Sequence, residues 1–304
     1  MTMRGTDWLL LAVLAFIWGG SFFLNELVVD QLPALTISMF RVLLAAAILW
    51  VVVLVSGLRL PSKPKVWAQY LVMGLINNVI PFSLIVWGQG GTTSSLASIL
   101  NATTPIFMVI IAALWLHDEK VTREKLAAVG VGFVGVVIML GPAALGDLGG
   151  SLLPQLAVLG AAAAYAVAGA YGKRFAAMGI QPAVSAAAQV TMSTLILVPA
   201  VFLSGRAEGI AEVTTVGWFS LLGLGAICTA LAYLIYFRLL ATAGATNLMV
   251  VTFMIPVSAI LLGVGVLGEV LRPQEIAGML TIFVALLLID GRVLRIGREK
   301  KQPS

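Results

Sequence analysis

Ten apolar stretches, each long enough to cross a lipid bilayer, occupy almost the whole chain. A membrane-spanning helix needs about 20 apolar residues. Of the 304 residues, 61% are hydrophobic and only 10% are charged, whereas a soluble domain carries about 25% charged residues. The sequence therefore predicts an all-α integral membrane protein. The predicted spans are residues 8–27, 36–55, 67–88, 95–116, 123–141, 153–172, 183–203, 216–237, 247–267 and 273–292.

Two other readings of the apolar runs are rejected. No stretch alternates in hydrophobicity with a period of two, so lipid-facing barrel strands are not expected. Arg4 precedes the first apolar run, as in a secretory signal, but that run is long and lacks an A-x-A cleavage pattern. We therefore expect a retained first helix.

The basic residues predict the orientation. Of the 18 Lys and Arg residues, fifteen fall on one side of the predicted spans and only Arg206 and Arg272 on the other, with Arg41 inside a span. Positive charge accumulates on the cytoplasmic side. Both chain termini are therefore expected in the cytoplasm.

The chain contains an internal repeat, expected at residues 1–145 and 150–304. The matched pairs are Gly74 with Gly223, Trp87 with Tyr236, Thr93 with Thr242, Pro105 with Pro256 and Glu119 with Glu269. Each half has five crossings, an odd number, so the second half enters from the opposite face. Inverted repeats of this kind are typical of secondary transporters, which bind substrate near the midplane between the halves. Duplication for stability alone is the other interpretation.

The sequence resembles the EamA family of the drug/metabolite transporter superfamily over its full length, and within it the YddG-type exporters of aromatic and other hydrophobic amino acids. The residues that carry this resemblance are Trp18-Gly19-Gly20-Ser21-Phe22, Arg41, the small-residue run before Pro105 with Glu119 after it, Pro256, and Gly268-Glu269. The resemblance implies ten helices in two five-helix repeats and export from the cytoplasm through a central cavity.

Arg41 is the one clearly intramembrane charge. An ionisable group in hydrocarbon costs about 2.5–3.5 kcal/mol on insertion scales, so it needs a reason. Arg41 can snorkel to the headgroups or pair with Glu26 or Asp30. Alternatively it acts in gating or binds a substrate carboxylate.

Polar residues and prolines interrupt several spans. Asn77, Asn78 and Pro81 lie in the third, where the proline frees a carbonyl near residue 77. Such amides either line a cavity or join helices to one another. The same two alternatives apply to the polar residues of the fourth and seventh spans. We expect Asn101 and Gln189 to line the cavity, and Pro105 and Pro256 to act as hinges.

Several aromatic residues lie deeper in the predicted spans than the belt of aromatic side chains at the membrane interface. They are packing residues, or they form a pocket for flat apolar side chains or, by cation–π attraction, for an organic cation. The aromatic residues assigned to the cavity are Trp18, Phe82, Tyr165, Tyr233 and Tyr236.

The sequence also argues against two other classes of protein, enzymes and channels. No HExxH motif, Gly-x-Ser-x-Gly elbow or pair of buried carboxylates points to an enzyme, and the lone His117 beside Asp118 and Glu119 fits a solvated loop. The single cysteine, Cys228, excludes an intramolecular disulfide and a CxxC metal site. A channel needs a ring of selective groups, which two unequal repeats supply poorly. A proton-coupled multidrug or organic-cation antiporter is the stronger rival, although no acid lies at the centre of a span.

The expected function is therefore downhill export of small metabolites by alternating access. The expected partners are a small-molecule substrate and the lipid bilayer of the cell (inner) membrane, with no nucleic acid, metal or cofactor. We expect a monomer, with a dimer as the alternative.

Overall fold

A computed structural model describes residues 4–115, 122–146 and 152–290. Ten of its helices are long and apolar enough to span a membrane, which confirms the predicted all-α fold of two inverted five-helix repeats. The spans are α1 (Gly5–Glu26), α2 (Ala34–Val55), α3 (Pro64–Gln89), α4 (Ser94–Trp115), α5 (Arg123–Gly141), α6 (Leu153–Phe175), α7 (Pro182–Leu203), α8 (Thr215–Thr242), α9 (Val250–Leu267) and α10 (Pro273–Asp290). The largest differences are at the ends of α5, α6 and α8, whose helices each continue five residues beyond the predicted ends at 141, 172 and 237.

Two spans contain π-helical turns, and they occupy equivalent places in the two repeats. In α3 the π-helical segment is Leu75–Val79, and in α8 it is Gly223–Leu231. π-helical turns are rare and are frequent at functional sites. The matched pair Gly74 and Gly223 borders them, so the repeat seen in the sequence includes this irregular feature.

Other spans depart from a straight helix in different ways. The α4 span breaks at residues 102–103, between the helices Ser94–Asn101 and Thr104–Trp115. The α5 helix continues to Gly146 across a non-helical Gly141, and α6 continues to Ala177. A short helix, Ala245–Leu248, precedes α9.

Most helix contacts cross between the repeats. Exchanging each helix for its equivalent in the other repeat converts one contact into another. Thus α1 on α9 matches α6 on α4, α3 on α6 matches α8 on α1, and α2 on α8 matches α7 on α3. The pairs α2–α7, α4–α9 and α5–α10 match themselves. We call this shared interface the seam. The buried core lies along the seam, whereas large apolar side chains such as Leu203 and Val55 point outward, as expected beside lipid.

Two glycines allow close approach at the seam. A Cβ at Gly74 would lie 2.6 Å from the Gln189 carbonyl oxygen of α7 and 2.8 Å from Ser193 Oγ. A Cβ at Gly225 would likewise meet Leu44 and the Arg41 carbonyl of α2. Because Gly74 and Gly225 border or lie within the two π-helical segments, close packing against α7 and α2 holds both segments at the seam.

Replacing Gly74 with Ala is therefore expected to lower the free energy of unfolding by about 1–3 kcal/mol, since the added methyl group overpacks the contact with α7. The matched control is Gly130→Ala, where nothing lies within 4 Å of the new Cβ. Alanine has the higher helix propensity, so the control should be neutral or stabilising. Melting temperatures of the purified variants in detergent measure both, and equal shifts would contradict the close approach.

Candidate functional site

Five side chains on three helices form one hydrogen-bonded group, which we call the amide network: Asn77, Asn78, Gln189, Ser193 and Tyr233. Asn77 Nδ2 lies 3.1 Å from Gln189 Oε1 and 3.1 Å from Tyr233 Oη, and Tyr233 Oη donates to Asn78 Oδ1 at 2.9 Å. Asn78 Nδ2 donates to Ser193 Oγ at 3.0 Å. The network joins α3 of the first repeat to α7 and α8 of the second.

The local sequence explains why two adjacent asparagines reach this network together. Pro81 has no N–H, so it cannot bond to the carbonyl of residue 77. The preceding turn widens instead, and the N–H of Ile80 bonds to the Leu75 carbonyl five residues back. The interruption predicted at Pro81 is thus a π-helical turn that holds Asn77 and Asn78 at the seam.

Arg41 is buried within the bundle, with a relative exposure of 6%. Its Nε donates to Thr229 Oγ1 at 2.9 Å, and its guanidinium lies 3.9 Å from the ring centroid of Phe82. Thr229 in turn donates to the Leu224 carbonyl within the π-helical segment of α8. Because Thr229 donates its hydroxyl proton to this carbonyl, its oxygen lone pairs are free to accept the hydrogen bond from Arg41.

One of the alternatives considered for Arg41, pairing with Glu26 or Asp30, is wrong. Glu26 instead accepts a hydrogen bond from Gln89 Nε2 at 3.1 Å, and no salt bridge to Arg41 occurs in the described part of the chain. Burial against α8 and Phe82 keeps the guanidinium at the seam, so it does not reach the acids at the helix ends.

Three of the predicted aromatic residues, Trp18, Tyr233 and Tyr236, form a continuous cluster. It also includes Phe237, which sequence reasoning missed, whereas Phe82 lies against Arg41. The ring of Trp18 lies 5.7 Å from that of Tyr236, and Phe237 lies 5.3 Å from Tyr236 and 6.2 Å from Tyr233. Trp18 belongs to the first repeat and the other three to α8 of the second. The cluster therefore crosses the seam and meets the amide network at Tyr233. Tyr165 of α6 packs against both main parts of the hydrophobic core.

The remaining predicted residues lie along α4 and α9. Asn101 is the last residue before the break in α4, and its Oδ1 is buried without a partner. Pro105 follows that break, whereas Pro256 lies inside an unbroken α9. Neither Asn101 nor the two prolines bond to the amide network, and their cavity and hinge roles stay predictions.

Sequence reasoning missed a contact across the seam at the end of the bundle opposite the chain termini. Glu269, just after α9, accepts from the backbone N–H of Ser94 at 2.8 Å and of Ser95 at 3.0 Å, at the start of α4. A carboxylate there satisfies two free N–H groups and complements the helix dipole. The sequence indicated Glu269 only as a match to Glu119, which lies outside the described residues, and as part of the Gly268-Glu269 pair that carries the family resemblance.

Further hydrogen bonds cross the seam at both ends. At the end of the bundle opposite the chain termini, Thr214 donates to Gln31 Oε1 through its N–H and its hydroxyl, at 3.0 and 2.9 Å. At the terminal end, Thr242 Oγ1 donates to Asp7 Oδ1 at 2.9 Å. Polar contacts between the two repeats are therefore present at each end of the seam.

A sequence model of the EamA-like transporter family matches residues 7–141 and again 152–290. The chain belongs to this family. It is a membrane transporter with ten apolar spans. His117 and its acidic neighbours lie outside the described residues, within which no group of His, Cys, Asp and Glu could hold a metal ion.

Known relatives agree with this family. The chain is 26% identical to the transporter YvbV of Bacillus subtilis, covering 93% of this chain and 90% of YvbV. It is also 26% identical to the inner membrane transporter YedA of Escherichia coli, covering 92% and 89%, and 21% identical to the protein PecM of Dickeya dadantii, covering 94% and 93%. A crystal structure with 16% identity superposes with a TM-score of 0.67 over 96% of this chain and 99% of that one, which shows a shared fold.

The Glu269 contact predicts a measurable protection of α4. In Glu269→Gln one of the two N–H groups meets an amide nitrogen, which donates and does not accept. Loss of a helix cap costs about 1 kcal/mol. Exchange of the Ser94 and Ser95 amides with deuterium should therefore become about fivefold faster, while Glu212→Gln in an exposed loop leaves it unchanged. Equal exchange rates in both variants would contradict a cap formed by Glu269.

Proposed function

We propose that this transporter exports hydrophobic amino acids, foremost aromatic ones, as do the YddG-type exporters it resembles. The supporting observation is that the aromatic cluster and the amide network meet at Tyr233 on the seam. An aromatic amino acid has the matching shape, with a polar end for amides and a flat ring for Trp18 and Tyr236. Neutral amides can bond both an ammonium and a carboxylate group.

Alternating access supplies the transport cycle of this proposal. The substrate enters from the cytoplasm, and α3, α4, α8 and α9 rock to close one mouth and open the other. Pro105 and Pro256 act as hinges. The Glu269 contact with α4 breaks when the opposite mouth opens, and the Asp7–Thr242 bond breaks when the terminal mouth opens. The inverted repeats make these two states related conformations of one chain.

Transport is proposed to be downhill, by facilitated diffusion. A proton-coupled carrier needs an ionisable group that exchanges a proton for substrate at the site. Within the described residues, no carboxylate bonds to the amide network. Glu26 and Asp7, which accept hydrogen bonds from Gln89 and Thr242, lie at the helix ends.

The rival function is proton-coupled efflux of organic cations. The ring cluster would suit a cation, but the buried positive charge of Arg41 beside Phe82 disfavours one. The proposal therefore places amino acids ahead of cations.

The proposed setting is the cell (inner) membrane, with both termini in the cytoplasm. The partners are a small-molecule substrate and the lipid bilayer, without nucleic acid or cofactor. The functional unit is a monomer, because both repeats needed for the seam are in one chain.

Flux measurements test this function. Purified protein in liposomes should carry labelled phenylalanine or tryptophan down its gradient, and flux no higher than in empty vesicles would refute the export of aromatic amino acids. Asn78→Leu should lower the flux by about fivefold or more, because Tyr233 and Ser193 lose a partner worth about 1 kcal/mol. Asn101→Leu tests the fourth span in the same way.

The control for these variants is Thr281→Val on α10, outside the amide network, which should retain normal flux. Folded yield is measured for each variant alongside flux. If yield and flux fall equally in Asn78→Leu, the network serves packing and not transport.

A second measurement tests whether transport is coupled to a proton gradient. With equal phenylalanine on both sides, an imposed pH gradient should produce no net accumulation, because no acid bonds to the amide network. Accumulation against a gradient, driven by protons, would contradict facilitated diffusion and favour the antiporter.

A further inference from the structure

We propose that Arg41 binds the anionic group of the substrate, so that the transporter selects solutes carrying a carboxylate. The inference rests on the proposed function, because it names the substrate group held at the same site. It adds a charge requirement that the neutral amides and rings do not impose.

The starting observation is an uncompensated buried charge. Arg41 has a relative exposure of 6%, and within residues 4–115, 122–146 and 152–290 no carboxylate lies within 4.0 Å of it. Burying a cation without a counter-ion is costly, and removal of water from the charge is not balanced by one hydroxyl and one ring. A negatively charged group on the substrate would supply the missing counter-ion of Arg41.

The guanidinium is held in a fixed orientation with its bonding capacity only partly used. Its Nε donates to Thr229 Oγ1, and the Phe82 ring centroid lies 3.9 Å from the guanidinium carbon, over one face of the group. A guanidinium carries five N–H donors, of which Nε has one. The four on the terminal nitrogens have no acceptor among the described residues, and these nitrogens are not fully enclosed by protein atoms. Two such donors match the two oxygens of a carboxylate.

The surroundings place this group beside the proposed binding site. Phe82, which the guanidinium covers, belongs to the same buried cluster as Tyr165 and Tyr233. Tyr233 also bonds to Asn77 and Asn78. A carboxylate on Arg41 therefore leaves the amides for the substrate's ammonium group and the ring cluster for its side chain.

A purely structural Arg41 makes a different prediction. If the guanidinium only joined α2 to α8, its replacement would weaken folding and would affect all ligands equally. A charge that meets the substrate changes the affinity of carboxylates relative to that of matched neutral compounds.

The experiment compares phenylalanine with phenylalaninamide, which differ only at the carboxyl group. Binding to the full-length purified protein is measured by competition against labelled phenylalanine, or by ligand-induced thermal stabilisation. The wild type should bind phenylalanine at least about tenfold more tightly, equivalent to about 1.4 kcal/mol. Arg41→Gln should reduce this ratio to near one, and Arg41→Lys should restore part of it because the charge remains.

The control variant is Arg206→Gln, which removes an exposed arginine outside the spans and should keep the full ratio. If Arg41→Gln does not fold, Arg41→Lys and the wild-type ratio still test the inference, since a wild type without preference for the carboxylate overturns it. An unchanged ratio in folded Arg41→Gln also overturns it.

Failure of the inference and failure of the proposed function are distinguishable. Phenylalanine flux with no dependence of the ratio on Arg41 retains the exporter and removes the anion site. Absence of phenylalanine flux, with binding of 3-phenylpropionate that is lost in Arg41→Gln but not in Arg206→Gln, retains the anion site and removes the amino acid exporter.

Discussion

The cost of placing polar groups in hydrocarbon governs the structure. A buried amide, hydroxyl or charge is costly unless it bonds within the protein, because the lipid offers no partner. The two repeats meet this need together. Asn77 and Asn78 of the first repeat bond to Gln189, Ser193 and Tyr233 of the second. Such a network ties the two repeats into one unit.

The features that follow from local composition could be predicted from the sequence. Apolar length determines the spans, and the matched pairs Pro105 with Pro256 and Gly74 with Gly223 reveal the repeat. An odd number of crossings per repeat then requires inversion. The amide and tyrosine side chains also identified most residues of the network and part of the ring cluster, because the spans contain few Asn, Gln and Tyr residues.

The partners of those residues could not be predicted in the same way. Arg41 bonds to Thr229, which is 188 residues away, whereas the partners considered from the sequence were the nearby acids Glu26 and Asp30. The widened turn in α3 follows from Pro81, but Gly223–Leu231 contains no proline. Glu269 caps α4 across the seam, which depends on how loops of different repeats meet. Packing between residues far apart in the sequence determines the partner of Arg41, the widened turn in α8 and the cap formed by Glu269.

The central claim is that a solute passes along the seam, and side-dependent labelling tests it most directly. A single cysteine replaces Asn77 in a Cys228→Ser background, and a small charged methanethiosulfonate is added from either face of the membrane. The account predicts that the cysteine reacts from both faces and that substrate slows the reaction, while Leu54→Cys, pointing away from the core, is not protected by substrate. A cysteine at position 77 that reacts from neither face would make the seam a closed packing interface and contradict the account.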